Sequence, residues 1–188
     1  MDTPTFSLFF AVLALACLAG ALGAMGLALA ARRRPAGSAL AGAYDDLAAS
    51  ALWLGFVVAL VTTLGSLYYS EVAHFVPCKL CWYQRIAMYP LTLTLLVSAV
   101  RRDRTVWTYV APPALIGLGF AAYHTQLQAF PGHHTPFCTV AEPCTVRYVW
   151  ELGFVSIPFM AMAAFVFILT MVFVARSADR GHPARSPS

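Results

Sequence analysis

Apolar and polar positions along this chain of 188 residues fall into long blocks rather than short alternations. Uncharged runs occupy residues 6–31, 47–69, 86–100, 106–123 and 154–175, separated by short segments that hold nearly all the charge. At 1.5 Å per residue the longer runs reach about 30 Å, the thickness of a hydrocarbon core. Extending the third run back to Trp82 adds a turn and an interfacial aromatic. The pattern predicts five membrane-spanning helices at 6–31, 47–69, 82–100, 106–123 and 154–175. Residues 124–153, the longest remaining stretch, are too few to build an independent core. The chain therefore reads as one all-α membrane domain over residues 1–188, a polytopic helix bundle whose chemistry sits on the helices or in the loops 70–81 and 124–153.

Composition narrows this further. Apolar residues make up 60% of the chain and charged residues 11%, against about 25% in an ordinary soluble domain. Such a chain cannot cover a water-facing surface, and it is too apolar for a disordered segment. The net charge of +4 does not indicate nucleic acid, because the basic residues lie in short clusters between apolar runs rather than on one wet face. They set topology instead. Of the 12 Lys and Arg residues, nine (Arg32, Arg33, Arg34, Arg101, Arg102, Arg104, Arg176, Arg180 and Arg185) fall on one side of the predicted spans. That side is expected to be cytoplasmic, with the N-terminus outside and a polar cytoplasmic tail over residues 177–188. The first run lacks a basic residue before it and is about twice the length of a signal-peptide core, so it reads as a retained helix.

Four of the five cysteines, Cys78, Cys81, Cys138 and Cys144, then face the outer compartment, where disulfides persist. Cys17 lies inside the first run and reads as a small apolar filler. Cys78-Lys79-Leu80-Cys81 places a Cys-x-x-Cys pair at a helix N-terminus, where unpaired N–H groups and the helix dipole favour a thiolate. Arg85 follows one turn later on the face of Cys81, and a guanidinium at a membrane edge calls for a partner or for snorkelling. The ring closed by a two-residue spacing is readily opened and suits exchange.

Cys138 and Cys144 enclose five residues, including Pro143, in the second outer loop. Four cysteines allow three pairings; local closure makes Cys78–Cys81 and Cys138–Cys144 the default, with cross-pairs such as Cys78–Cys144 as exchange intermediates. His133 and His134 near Cys138 keep a zinc site, or a membrane metal carrier with Cys and His ligands, as the alternative. His124 reads either as an interfacial solvated side chain or as a contact to a membrane-soluble cofactor. Pro112-Pro113 predicts a kink in the fourth helix, and Trp53, Trp107 and Trp150 read as interfacial anchors.

The block Cys78-Lys79-Leu80-Cys81-Trp82-Tyr83-Gln84-Arg85, the later outer pair and the Phe154-Val155-Ser156-Ile157-Pro158-Phe159 start of the last helix resemble the DsbB and BdbC family of membrane thiol:disulfide oxidoreductases. The likeness covers residues 47–175. Vitamin K epoxide reductase homologues use similar parts with the loop pair first; here it comes second. The resemblance implies a four-helix core plus one extra N-terminal transmembrane helix, in a bacterial cytoplasmic membrane. It implies that Cys138 meets a DsbA-like thioredoxin-fold partner outside, that Cys144 passes electrons to Cys78, and that Cys81 faces a quinone, ubiquinone or menaquinone. Arg85, Gln84 and His124 are the candidate quinone contacts, and no metal or haem is implied. The extra helix carries Ala16, Gly20, Ala24 and Ala28 at four-residue spacing, a pattern that suits close helix packing.

Overall fold

The computed structural model describes residues 3–32, 38–130, 138 and 144–181. Five helices account for most of them: α1 (Thr3–Arg32), α2 (Ala39–Leu67), α3 (Lys79–Arg101), α4 (Trp107–Ala129) and α5 (Ile157–Gly181). A π-helical turn, Tyr68–Val72, continues α2, and a 3-10 turn, Arg104–Val106, leads into α4. No strand occurs among the described residues; Glu151 and Val155 form an isolated antiparallel bridge around the turn at Leu152 and Gly153.

Each apolar run lies within or largely within a helix, but the helices outrun the apolar stretches. α2 begins at Ala39, well before residue 47, because the Ser38 side chain accepts from the Ala41 N–H at 3.3 Å and starts the helix in a polar segment. Asp45 and its neighbour Asp46 ride on that extension with exposed side chains. α4 runs unbroken through Pro112 and Pro113, so the expected kink does not interrupt the helix. At the α3–α4 corner Arg102 takes a left-handed conformation at φ 53, and Asp103 accepts from the Thr105 N–H at 2.9 Å.

Helices α2, α3, α4 and α5 form a ring in which each packs on the next and α5 closes back on α2, while α1 lies outside, against α5 and α2. Contacts between helix ends fix the up-and-down order. The Tyr44 hydroxyl near the start of α2 donates to the Val174 carbonyl late in α5 at 3.2 Å. Arg176 of α5 lies over the Trp107 ring at the start of α4, 5.4 Å from its centroid. At the other end Phe6 of α1 stacks on Tyr68, with centroids 3.6 Å apart.

Close approach rests on glycine where rings intrude. A Cβ at Gly117 would lie 2.3 Å from the Phe165 ring, and one at Gly65 would lie 2.6 Å from Phe10. Along α1 the buried residues are Ser7, Ala11, Ala14, Ala21, Ala24 and Ala28. This small-residue stripe follows a seven-residue period rather than the four-residue series through Ala16, which is exposed. A heptad period keeps a helix seam on its neighbours, whereas a strict four-residue series drifts around the helix.

Three segments, Thr3–Ala31, Ala39–Val72 and Ile157–Ala178, are long and apolar enough to cross a membrane. The other two helices, α3 and α4, are 23 residues each and are diluted by the polar groups described below. Their outer faces are nonetheless apolar: Ile86 and Leu93 on α3 and Ile116 on α4 are 65%, 67% and 59% exposed. An all-α bundle with apolar side chains both inside and outside matches a lipid surround.

Candidate functional site

One end of the ring gathers the four cysteines that the sequence singled out. Cys78 is the N-cap residue of α3, and Cys81 lies in the first turn. Their thiol sulfurs are 3.3 Å apart and unbridged. Cys138 and Cys144 form a disulfide, with Cα atoms 5.8 Å apart. All four cysteines belong to one apolar cluster built around Leu80 and Leu127, with Phe120 and Tyr123 against it. Cys78 and Cys144 are buried, so the two pairs meet away from bulk water.

Hydrogen bonds to α4 hold the segment that carries Cys144. His124 Nε2 is 3.0 Å from the Cys144 carbonyl, Gln128 Nε2 donates to the Val146 carbonyl at 2.9 Å, and Arg147 Nε donates to the Gln128 carbonyl at 2.7 Å. Arg147 thus satisfies a carbonyl that the end of α4 leaves free, and its guanidinium lies 3.9 Å from the Trp150 ring centroid. Between the two cysteine pairs a small cavity of about 40 Å³ is lined by Cys78, Cys81, His124, Gln128 and Cys144.

His124 is buried at the centre of this arrangement, and its hydrogen-bond partners assign its tautomer. Gln84 Nε2 lies 3.2 Å from the Leu80 carbonyl, which can only accept, so the Gln84 amide points its NH2 group that way. The same NH2 group lies 3.1 Å from His124 Nδ1 and donates to it. Nδ1 therefore accepts, and the ring hydrogen sits on Nε2, facing the Cys144 carbonyl at 3.0 Å and the Cys78 sulfur at 3.8 Å.

Both thiols precede residue 82, where the expected span begins. The Cys78 thiol is held far below the usual thiol range, down to about 4. The hydrogen bond from Cys81 contributes most and His124 adds to it, while burial works in the opposite direction. That same sulfur–sulfur hydrogen bond, with burial and the adjacent thiolate, pushes Cys81 up; the Arg85 guanidinium pulls it down. The reduced pair thus loses one proton readily and keeps the second, shared across the two sulfurs.

Cys78, Cys81 and His124 bring three ligand-type atoms within 4.8 Å of one another. A cation would need the Nε2 lone pair, and Gln84 leaves a hydrogen there instead, which counts against the metal-carrier alternative. His133 and His134 lie outside the described residues.

On the other side of Cys81 lies a larger cavity of about 180 Å³, walled by α1, α2, α3 and α5. Cys81, Gln84, Arg85 and Tyr89 line it from α3, among mostly apolar neighbours. Arg85 Nη2 donates to the Ser66 carbonyl at 2.8 Å, and its guanidinium carbon lies 5.4 Å from the Trp82 ring centroid. The Tyr89 hydroxyl is buried and has no hydrogen-bond partner among the described residues. An elongated apolar cavity with one cation, one orphaned hydroxyl and a cysteine on its wall fits an apolar ring compound that carries carbonyl oxygens.

The expected contacts divide between the two cavities. Arg85 and Gln84 line the large one; His124 lines only the small one and belongs to the thiols. Tyr89 was absent from the sequence expectation, although it continues the stripe Cys81, Arg85, Tyr89 at four-residue steps on one face of α3. Glu71 is exposed in the turn that continues α2 and accepts from the Ser70 hydroxyl at 3.0 Å, a solvated helix end.

The family model described as "Disulfide bond formation protein DsbB" matches residues 48–175. "Disulfide bond formation protein C" of Bacillus subtilis is 44% identical over 119 residues, 63% of this chain and 86% of the relative. "Probable disulfide formation protein C" of Halalkalibacterium halodurans is 46% identical over 120 residues, 62% of this chain and 87% of the relative. "Probable disulfide formation protein" of Coxiella burnetii is 40% identical over 127 residues, 65% and 86% of the two chains. No solved structure matches the chain.

Proposed function

Because this chain belongs to the DsbB family of disulfide bond formation proteins, we propose that it is a membrane thiol:disulfide oxidoreductase that reoxidises an extracytoplasmic thioredoxin-fold protein and delivers the electrons to quinone. The observation that carries the reading is the placement of the Cys78–Cys81 dithiol between the Cys138–Cys144 disulfide and the apolar cavity.

The exchange steps balance as two-electron transfers. A thiolate of the partner attacks Cys138 Sγ and breaks the Cys138–Cys144 bond, leaving Cys144 as thiolate. The partner's second thiol then resolves the mixed disulfide, so the partner leaves oxidised and the loop pair stays reduced. When Cys78 and Cys81 are joined, Cys144 attacks Cys78 Sγ and Cys81 leaves as thiolate. Cys138 then attacks Cys144, which remakes the loop disulfide and releases Cys78. The cysteine states described above, loop pair oxidised and α3 pair reduced, correspond to the point at which the electrons have reached α3.

Arg85, Tyr89 and Gln84 would hold the quinone, which accepts two electrons and two protons when bound. Arg85 offers a fixed cation beside Cys81, anchored through Ser66, and lowers the cost of negative charge there. The Tyr89 hydroxyl can donate to a carbonyl oxygen. His124 Nε2–H stabilises Cys78 as a leaving thiolate. The apolar walls keep water from the sulfurs.

The distribution of arginines supports a five-span topology with the cysteines outside, the N-terminus outside and the C-terminus cytoplasmic. Purified protein should oxidise a thioredoxin-fold dithiol with one quinone consumed per disulfide, and Cys81→Ser should do neither. Unchanged turnover in that variant would overturn the proposal.

A further inference from the structure

The family match begins at residue 48, so α1 lies outside it, yet α1 forms part of the wall of the large cavity. Phe10, Leu13, Ala14 and Cys17 line it. Their spacing of three, four and seven residues makes one stripe on one face of the helix. Specific contacts hold the helix there. The Tyr69 hydroxyl donates to Ser7 Oγ at 3.2 Å, the Phe10 ring fills the space beside Gly65 on α2, and Phe167 of α5 packs against Gly20. α1 thus touches both α2 and α5, on either side of the cavity.

Helical rise gives the cavity a long axis. Its lining runs from Cys81 to Tyr89 on α3 and from Ser66 back to Val57 on α2, about 12–14 Å along the bundle. Cys81 and Arg85 sit at the outer end. Cys17 is about 10 Å deeper than Phe10, which packs beside Gly65, so the α1 side chains run from the polar end to the apolar end.

We infer that α1 is a specificity element of the acceptor site: Leu13 and Cys17 contact the apolar tail of a membrane-borne quinone, so that this helix discriminates tailed from tailless acceptors. The inference rests on the reading of the cavity as the quinone site. Fitting a tail to a wall gains affinity through buried apolar area, and crowding the wall removes it.

Full-length protein in detergent is irradiated with a photoreactive azidoquinone bearing a decyl tail, and the adducts are mapped by mass spectrometry. Adducts are expected on peptides of α1 containing residues 10–17 as well as on α3. In parallel, decylubiquinone binding is followed by quenching of intrinsic tryptophan fluorescence. Cys17→Phe should weaken it by at least about tenfold, and Leu13→Ala by about threefold or more. Both should leave the affinity for a tailless benzoquinone within about twofold, and Leu22→Ala on the exposed face of α1 should change neither. Adducts on α3 with none on α1, or equal losses for tailed and tailless quinones, would overturn the role of α1 while leaving the quinone reading intact. No binding or labelling by any quinone would overturn both.

Discussion

Gln84 and His124, forty residues apart and on different helices, share a hydrogen bond of 3.1 Å that decides which imidazole nitrogen carries the hydrogen. The consequence is felt at neither residue but at the Cys78 sulfur, 3.8 Å from Nε2. An amide on α3 thus reaches the sulfur at the head of its own helix through a ring on α4.

The first prediction concerns pH. With the Cys78 thiol pulled down to about 4, its alkylation by a small reagent in reduced protein should be nearly constant across neutral pH and should fall only as pH approaches 4. The thiolate itself persists down to that pH, whereas the stability it lends the reduced fold is full only above the ordinary thiol range and is lost progressively as pH falls from there to about 4. His124→Ala should move the fall to higher pH, and Cys81→Ala should move it further, because the Cys81 hydrogen bond is the larger cause. Identical profiles for wild type and His124→Ala would remove His124 from this role.

Trapping tests the order of the relay. Cys144→Ser leaves Cys138 as a lone thiol and removes the next electron carrier: with a single-cysteine thioredoxin-fold protein whose thiol carries thionitrobenzoate, Cys138 should displace thionitrobenzoate and form a covalent complex that no second thiol resolves, and turnover with the dithiol form should fall at least about a hundredfold. Non-reducing electrophoresis reads the complex. Accumulation on Cys78 instead of Cys138 would reverse the proposed direction of entry.

Tyr89→Phe should separate stability from function. The hydroxyl is buried without a partner, so its removal should raise stability by about 1 kcal/mol. The same change should raise the KM for quinone by about three- to tenfold, with mixed-disulfide formation at Cys138 unaffected. A fall in melting temperature with unchanged KM would assign the hydroxyl to packing.

Gly117→Ala tests the ring packing. The added methyl would sit 2.3 Å from the fully buried Phe165 ring, which must shift to admit it. A loss of about 1–3 kcal/mol is expected in thermal melts. Gly119→Ala, on the same helix with nothing within 4 Å, should stay within about 0.5 kcal/mol of wild type.

Helix number and the place of the Cys-x-x-Cys pair at a helix start were legible in the sequence because each is written locally. An apolar run has to hide its backbone polar groups in a helix, and Cys-x-x-Cys at a helix start needs only three residues to declare itself. Helix limits were less legible: α2 starts at Ala39, where the Ser38 side-chain cap decides the matter rather than hydropathy. His124 was visible as a polar residue near the end of an apolar run, but its place beside the thiols rather than on the wall of the large cavity depends on the α3–α4 contact. Tyr89 could have been found from the four-residue step beyond Arg85; that its hydroxyl lacks a partner could not.

By itself the sequence determined that this is an all-α membrane protein with a Cys-x-x-Cys pair at a helix start, because charge scarcity and run length act through local hydration costs that no partner helix can alter. Only the tertiary structure decided that the two cysteine pairs share one buried cluster, that Gln84 sets the hydrogen on His124, and that α1 walls the cavity. Those relations join residues tens to more than a hundred positions apart, and they come into being only when ring and glycine contacts such as Phe165 on Gly117 and Phe10 on Gly65 fix how the helices sit against one another.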